Sequence, residues 1–290
     1  MKKVALLLLL ILALGVIAAC ASEEDQPTIA VDQPTEEENQ PTTEAEQPTE
    51  EEQPAATEWS TITMGTSADF PPFEFIADGG EGRHGRYSGL DVAIAARIAE
   101  ALDAELIIHD AAFEGLIIDL QGGSIDFIAA AMTITDERLE SVNFSIPYFA
   151  AVQYMVVPMG SEMSAAADLE GAYVAVQGGT TGYMWVSDNV DADVLPFIRA
   201  SEAFAALLQG RVDAVVIDSA VAQRFVNANP NDLRIIRDND AFGDESYGIA
   251  VRFGEYDLLE AINAVIREMQ ESGELAELYY YYTEGPGAPE

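Results

Sequence analysis

SEAFAALLQGRVDAVVIDSAVAQRFV, residues Ser201 to Val226, is the stretch from which the rest of the chain is read. Its first part, SEAFAALLQG, spaces Phe204, Leu207 and Leu208 as one face of a helix does, and Gly210 ends it. VDAVVID (212–218) is a short apolar run suited to a strand buried on both faces, and SAVAQRFV (219–226) returns to helical spacing. Strand GAYVAVQ (171–177) precedes this block and strand LRIIR (233–237) follows it. Strands alternating with helices imply βαβ units and a largely parallel sheet covered on both sides, an α/β fold.

The same rhythm runs through the earlier part of the body. Ser60 to Thr66 and Glu105 to His109 are expected strands, with a helix over Leu90 to Leu102 between them. Phe113 to Leu120 suits a helix stopped by Gly122-Gly123, and Ser124 to Ala131 suits a buried parallel strand. Two apolar segments break the pattern, AVQYMVVP (151–158) and SYGIAVR (246–252). Two crossings mean two lobes: residues 59–154 with 247–290 as lobe 1 and 155–246 as lobe 2, joined by a hinge near Tyr154 and Tyr247. The tail, LLEAINAVIREMQ and ELAELYYYY, is expected to pack back on lobe 1, with Tyr279 to Tyr282 as packing residues.

The first 58 residues read differently. Lys2 and Lys3 precede an apolar run, Val4 to Ala19, that ends in Ile-Ala-Ala before Cys20. The run is shorter than the ~20 residues that a spanning helix wants, and with its charged start and small-residue end it resembles a bacterial lipoprotein signal. That resemblance implies a signal peptide over 1–19, lipidation of Cys20, and a lipid anchor on the outer face of the cell membrane. Residues 20–58 then form an acidic tether with QPT at 26, 33, 40 and 47, whose prolines forbid a continuous helix.

The chain carries a formal net charge of -38 and has no lysine after Lys3. Between Trp59 and Glu290 stand 38 acidic residues against 11 arginines, so nucleic acid is excluded as a partner class. Among so many carboxylates, Arg138 directly behind Thr-Ile-Thr-Asp-Glu needs a reason. Thr135 is placed to cap a short helix from Asp136 to Ser141, which fixes Arg138 on its first turn. GGTTG (178–182) follows a strand and opens a helix, so its backbone N–H groups can converge on an anion. Asp218 ends VDAVVID where open α/β sheets place ligands, and it also stands where it could cap the following helix.

In series, FPPFEF (70–75), SGLDVAIAARIAEAL (88–102), FEGLIIDLQGGSID (113–126), MTITDER (132–138), FSIPYF (144–149), VQGGTTG (176–182), GRVDAVVID (210–218) and YGIAV (247–251) give the chain a strong resemblance to the family 3 extracellular solute-binding proteins, the amino-acid receptors of ABC importers. It covers nearly all of Trp59 to Thr283. The resemblance implies a two-lobed type II periplasmic-binding-protein fold that closes on a free amino acid and presents it to a permease. A zwitterion needs a fixed cation and a fixed anion, and a guanidinium meets a carboxylate through two parallel hydrogen bonds.

By this resemblance Arg138, Thr133, Thr180 and Thr181 hold the ligand carboxylate, while Asp218, Thr133 and the carbonyl of Ala131 hold its ammonium. Many relatives carry glycine at the Ala131 position. Ser67, Phe70, Phe113, Met132 and Gln177 face the side chain, with Glu74, Glu114 and Tyr183 as rim candidates. Ser67 stands where binders of basic amino acids often carry aspartate, so a polar uncharged amino acid is the expected ligand. The receptor is expected to act as a monomer, without catalytic residues, cofactor or metal. Two other readings stay open, an exported dehydratase-like enzyme on the same fold and a ligand-sensing partner of a membrane sensor. For an enzyme, His84 and His109 are the only histidines, with no HExxH, Cys/His cluster or GxSxG element.

Overall fold

A computed structural model describes residues 59–77, 84–285 and 287; the expected signal, Cys20 and the acidic tether lie outside the described residues. The first portion runs β1 (Thr61–Thr66), β2 (Asp69–Phe70), β3 (Glu74–Ile76), β4 (Tyr87–Ser88), α1 (Leu90–Ala101), β5 (Glu105–Asp110), α2 (Leu116–Gln121), β6 (Phe127–Ile128), α3 (Asp136–Leu139) and β7 (Asn143–Phe144). Next come β8 (Phe149–Pro158), β9 (Tyr173–Gln177), α4 (Thr181–Asn189), β10 (Asp193–Phe197), α5 (Ala200–Leu208), β11 (Ala214–Asp218), α6 (Ser219–Ala228) and β12 (Leu233–Ile236). β13 (Asp244–Tyr247), β14 (Ala250–Val251), α7 (Tyr256–Ser272) and α8 (Glu274–Thr283) complete the fold.

Two sheets organise two lobes. The first has the order β5-β1-β6-β14-β7 and the second β10-β9-β11-β8-β12, with β13 added along β8. β1 runs parallel to β5 and β6, and β9 runs parallel to β10 and β11, as the βαβ reading requires. The strands at the crossings run the other way: β8 is antiparallel to β11, β12 and β13, and β14 to β6 and β7. A strand arriving directly from the neighbouring lobe makes no right-handed helical crossover, so it is free of the constraint that forces parallel pairing.

All five residues of β11 are buried, which carries Asp218 inward with Val215, Val216 and Ile217. Each such aliphatic side chain contributes roughly 1.5–3 kcal/mol on burial. On the first lobe, Val92, Ile94 and Ile98 of α1 and Ile262, Ile266 and Met269 of α7 are fully buried. Tyr282 is also fully buried, against the edge of Phe75, and Tyr279 packs on Phe149, so the tail helix lies where its pattern placed it.

Several boundaries differ from the pattern reading. Phe113–Gly115 is a 3-10 turn that leads into α2, and only Phe127–Ile128 of the segment 124–131 forms strand. The side chain of Asp126 accepts the backbone N–H of Thr63 (2.8 Å), and Ala131 takes a left-handed φ of 48°, so regular strand geometry ends short of the full segment. Tyr154 lies inside β8, opposite Ile217; the switch of sheets comes earlier, between Phe144 and Phe149. The return falls between Tyr247 and Ala250. The two crossings lie side by side, tied by Ser145 N to Ile249 O (2.8 Å), Ile249 N to Ser145 Oγ (2.9 Å) and Tyr148 N to Tyr247 O (3.0 Å).

Candidate ligand cleft between the lobes

Between the two sheets lies a narrow cavity. Its wall is made by Phe70, Glu74, Phe113, Ala130, Ala131, Thr133 and Arg138 from the first lobe and Gln177, Thr180, Thr181 and Asp218 from the second. Nine of the residues singled out in the sequence as ligand contacts therefore meet here, although 148 positions separate Phe70 from Asp218. The lobes are almost shut.

Arg138 is 5% exposed. Thr135 caps α3 by accepting the N–H of Arg138 at 3.2 Å, as the sequence predicts, and this points the side chain across the cleft. The guanidinium donates to the carbonyl of Thr133 (2.6 Å) and to that of Gly179 on the second lobe (3.0 Å), and it sits 5.4 Å from the centre of the Phe113 ring. Among the described residues no carboxylate lies within ion-pair distance of it. Burial pushes its pKa down, while Asp218 and Glu245 pull it back up. The group keeps a full charge, with donors beyond the two in use, in a dehydrated setting where a bidentate anion gains most.

Across the cleft, Thr180 is the N-cap of α4: its hydroxyl accepts the N–H of Tyr183 (3.2 Å) and donates to the carbonyl of Gln177 (2.8 Å). What Thr180 can still offer an anion is backbone N–H, at the positive end of a helix. Gly179 has φ +75°, and a Cβ there would lie 2.9 Å from Cβ of Glu114, so only glycine lets the loop come this close to the first lobe. Glu114 itself is a wall against Gly178 and Gly179.

Asp218 makes no capping bond to α6. Its Oδ1 accepts the hydroxyl of Tyr247 at 2.6 Å, and its pKa is raised to about 7, first by burial and then by the neighbouring charge of Glu245. Glu245 and Gln153 were missed in the sequence, because neither lies in a recognisable motif. The Glu245 carboxylate accepts from Thr133 (2.9 Å), Thr181 (3.0 Å) and Gln153 (3.2 Å), so a hinge-strand residue gathers hydroxyls from both lobes.

A third missed residue, Asp91, sits on α1, 0% exposed. Its Oδ2 takes the N–H of Ala131 and the hydroxyl of Tyr148, both at 2.7 Å, and burial raises its pKa to about 7. Asp91 thereby clamps the left-handed turn that turns Ala131 onto the cavity wall. That turn is the physical reason glycine suits the position. An acid in the apolar stripe of α1 was the available signal.

Glu74, also on the wall, is 0% exposed, and neither carboxylate oxygen has a hydrogen-bond partner among the described residues. Burial first, and then the charges of Asp91, Asp69, Asp218 and Asp110, push its pKa well above the ordinary range. Phe70 and Phe113 line the same cavity. Ser67 and Met132 are off the wall: Ser67 lies 3.4 Å from the Arg199 guanidinium, and Met132 packs with Leu116, Leu120 and Val142. Tyr183 packs on the second lobe's core. His109 is at the surface, 3.6 Å from Asp119, and neither it nor His84 lines the cavity.

Residues 62–285 match the sequence profile of the bacterial extracellular solute-binding proteins, family 3. The L-cystine-binding protein TcyJ of Escherichia coli (strain K12) is 32% identical over 224 residues, covering 76% of this chain and 82% of the relative. The ABC transporter glutamine-binding protein GlnH of Bacillus subtilis (strain 168) is 36% identical over 200 residues, 67% of this chain and 72% of its own. Among solved structures, the arginine-bound form of truncated ArgBP from T. maritima superimposes with a TM-score of 0.67 at 46% identity, covering 72% of this chain and 96% of that one.

Proposed function

The chain belongs to the bacterial extracellular solute-binding proteins of family 3, and from that premise we propose that it is an extracytoplasmic receptor which closes its two lobes on a free amino acid and delivers it to an ABC importer. It is a receptor and not an enzyme, with the type II binding-protein fold. One observation carries the ligand class: a buried guanidinium, Arg138, with no carboxylate at ion-pair distance among the described residues, shares a cleft with a buried carboxylate, Asp218, on the opposite lobe. An α-carboxylate on Arg138, Thr133 and the N–H groups of Thr180 and Thr181, with an α-ammonium on Asp218, Thr133 and the Ala131 carbonyl, neutralises both charges at once. Only the closed arrangement offers both, so the ligand shifts the open-closed equilibrium. A change from 1:99 to 99:1 needs ~5.5 kcal/mol of differential affinity.

The side chain assigned to the far end is cationic. Glu74 is a second buried carboxylate on the cavity wall, without a hydrogen-bond partner among the described residues; Phe70 and Phe113 line the same cavity, and an arginine-type head group would satisfy the carboxylate. A polar uncharged ligand such as glutamine is the second reading, favoured by the raised pKa of Glu74, since a protonated carboxyl can hydrogen-bond an amide. We further assign residues 59–144 with 250–285 and residues 149–247 as the bodies that move about the two crossings between them, Cys20 as the lipid anchor, and residues 20–58 as the tether holding a monomeric receptor near its permease.

A thermal-shift screen of free amino acids followed by isothermal titration tests the reading. Arginine is expected to give the largest rise in melting temperature. Arg138→Ala should lower affinity at least about a hundredfold while keeping the fold, consistent with about 3–5 kcal/mol for stripping one partner from a buried charge pair. Unchanged affinity in that variant would overturn the assignment.

A further inference from the structure

Away from the cleft, a second set of charges joins the lobes. The N-terminus of α5, on the second lobe, packs against β2 of the first. There the Asp69 carboxylate accepts both the backbone N–H (3.1 Å) and the hydroxyl (3.0 Å) of Ser201. Arg199, the residue before α5, places its guanidinium 2.9 Å from Asp110 Oδ1 and 3.9 Å from Asp69 Oδ1. Asp110 in turn accepts the N–H of Ala68 at 3.0 Å, which fixes it to the loop after β1. None of Asp69, Asp110, Arg199 or Ser201 lines the ligand cavity.

We propose that Asp69 and Asp110 with Arg199 and Ser201 form a latch that sets the closed fraction of the receptor, and hence its affinity, without touching the ligand. The proposal rests on the lobes closing over an amino acid. Side-chain exposures of 16–27% for the three charged groups mean that the contacts are partly dehydrated when shut and fully hydrated when the lobes part. In the open state the Ser201 N–H is an orphan donor of a helix first turn and Arg199 faces water. The latch therefore contributes to one state only. Since apparent affinity scales with the competent fraction, it strengthens every ligand by the same factor and acts on release.

The pair Arg199→Gln and Ser201→Ala, made singly and together in the full soluble body, tests this. Titration calorimetry and stopped-flow release are run with arginine and with glutamine at 50 and 500 mM salt, and small-angle scattering is recorded without ligand. The double variant is expected to bind both ligands about tenfold more weakly, nearly all of it in faster release, and its ligand-free form should be more expanded. Salt should weaken binding by the wild type more than by the double variant. Unequal losses for the two ligands, or unchanged affinity together with unchanged dimensions, would overturn the latch. If the wild type binds no free amino acid, the receptor reading fails instead, and the scattering comparison alone decides the latch.

Discussion

Glu74 and Asp218 make the cleft sensitive to pH at the level of single residues. Each carboxyl is pushed above its ordinary value, Asp218 to about 7, and each must lose its proton to hold a cation. Affinity for arginine should therefore rise as pH increases through about 7, with proton release on binding. Titration in buffers of different ionisation enthalpy reads this directly. Glu74→Gln should cost arginine at least about tenfold and leave glutamine nearly unchanged, which separates the two readings of the side-chain end. Glu245→Gln removes the neighbouring charge that ranks second in raising Asp218, so the pH profile of binding should move to lower pH. An unmoved profile would mean that the hinge carboxylate has no electrostatic hold on the site.

At the scale of elements, the short helices and turns decide the site. α3 is one turn long and α4 follows a glycine turn, yet their caps, Thr135 and Thr180, fix Arg138 and the first turn of α4 at the cleft. The capping pattern and the motif order were legible in the sequence, because they are local. The close approach of Gly179 to Glu114 was not, since it depends on how far the lobes shut. Gly179→Ala adds a Cβ 2.9 Å from Glu114 Cβ and strains a φ of +75°. It should weaken binding by about tenfold or more through impaired closure. Gly210→Ala, with no atom within 4 Å of the added carbon, is the control for backbone strain alone, and its affinity should match the wild type.

The whole molecule carries a stability cost for its buried acids. Asp91 and Asp218 have ordinary values of 3.8 and are raised to about 7 in the fold. Between those values the folded state holds protons that the unfolded chain has lost, so ligand-free stability falls as pH rises from about 4 to about 7. Melting temperatures measured across that range should decline, and Asp91→Asn should flatten the slope. Bound ligand should flatten it too, because an ammonium on Asp218 favours the carboxylate.

Local rules settled the alternation of elements, the two breaks in that alternation and the caps, whereas most of the side chains that meet between the lobes were legible only through the motifs shared with the family. Helical spacing, short apolar runs and capping each involve neighbours a few residues apart, so the order of residues alone determines them. Partnership across the cleft was a matter for tertiary structure. Whether Asp218 caps α6 or accepts from Tyr247, and whether Ser67 meets a ligand or Arg199, depends on atoms far away in the chain brought within hydrogen-bond range. The same holds for the burial of Glu74, whose carboxylate has no hydrogen-bond partner among the described residues because groups from distant parts of the chain close around it.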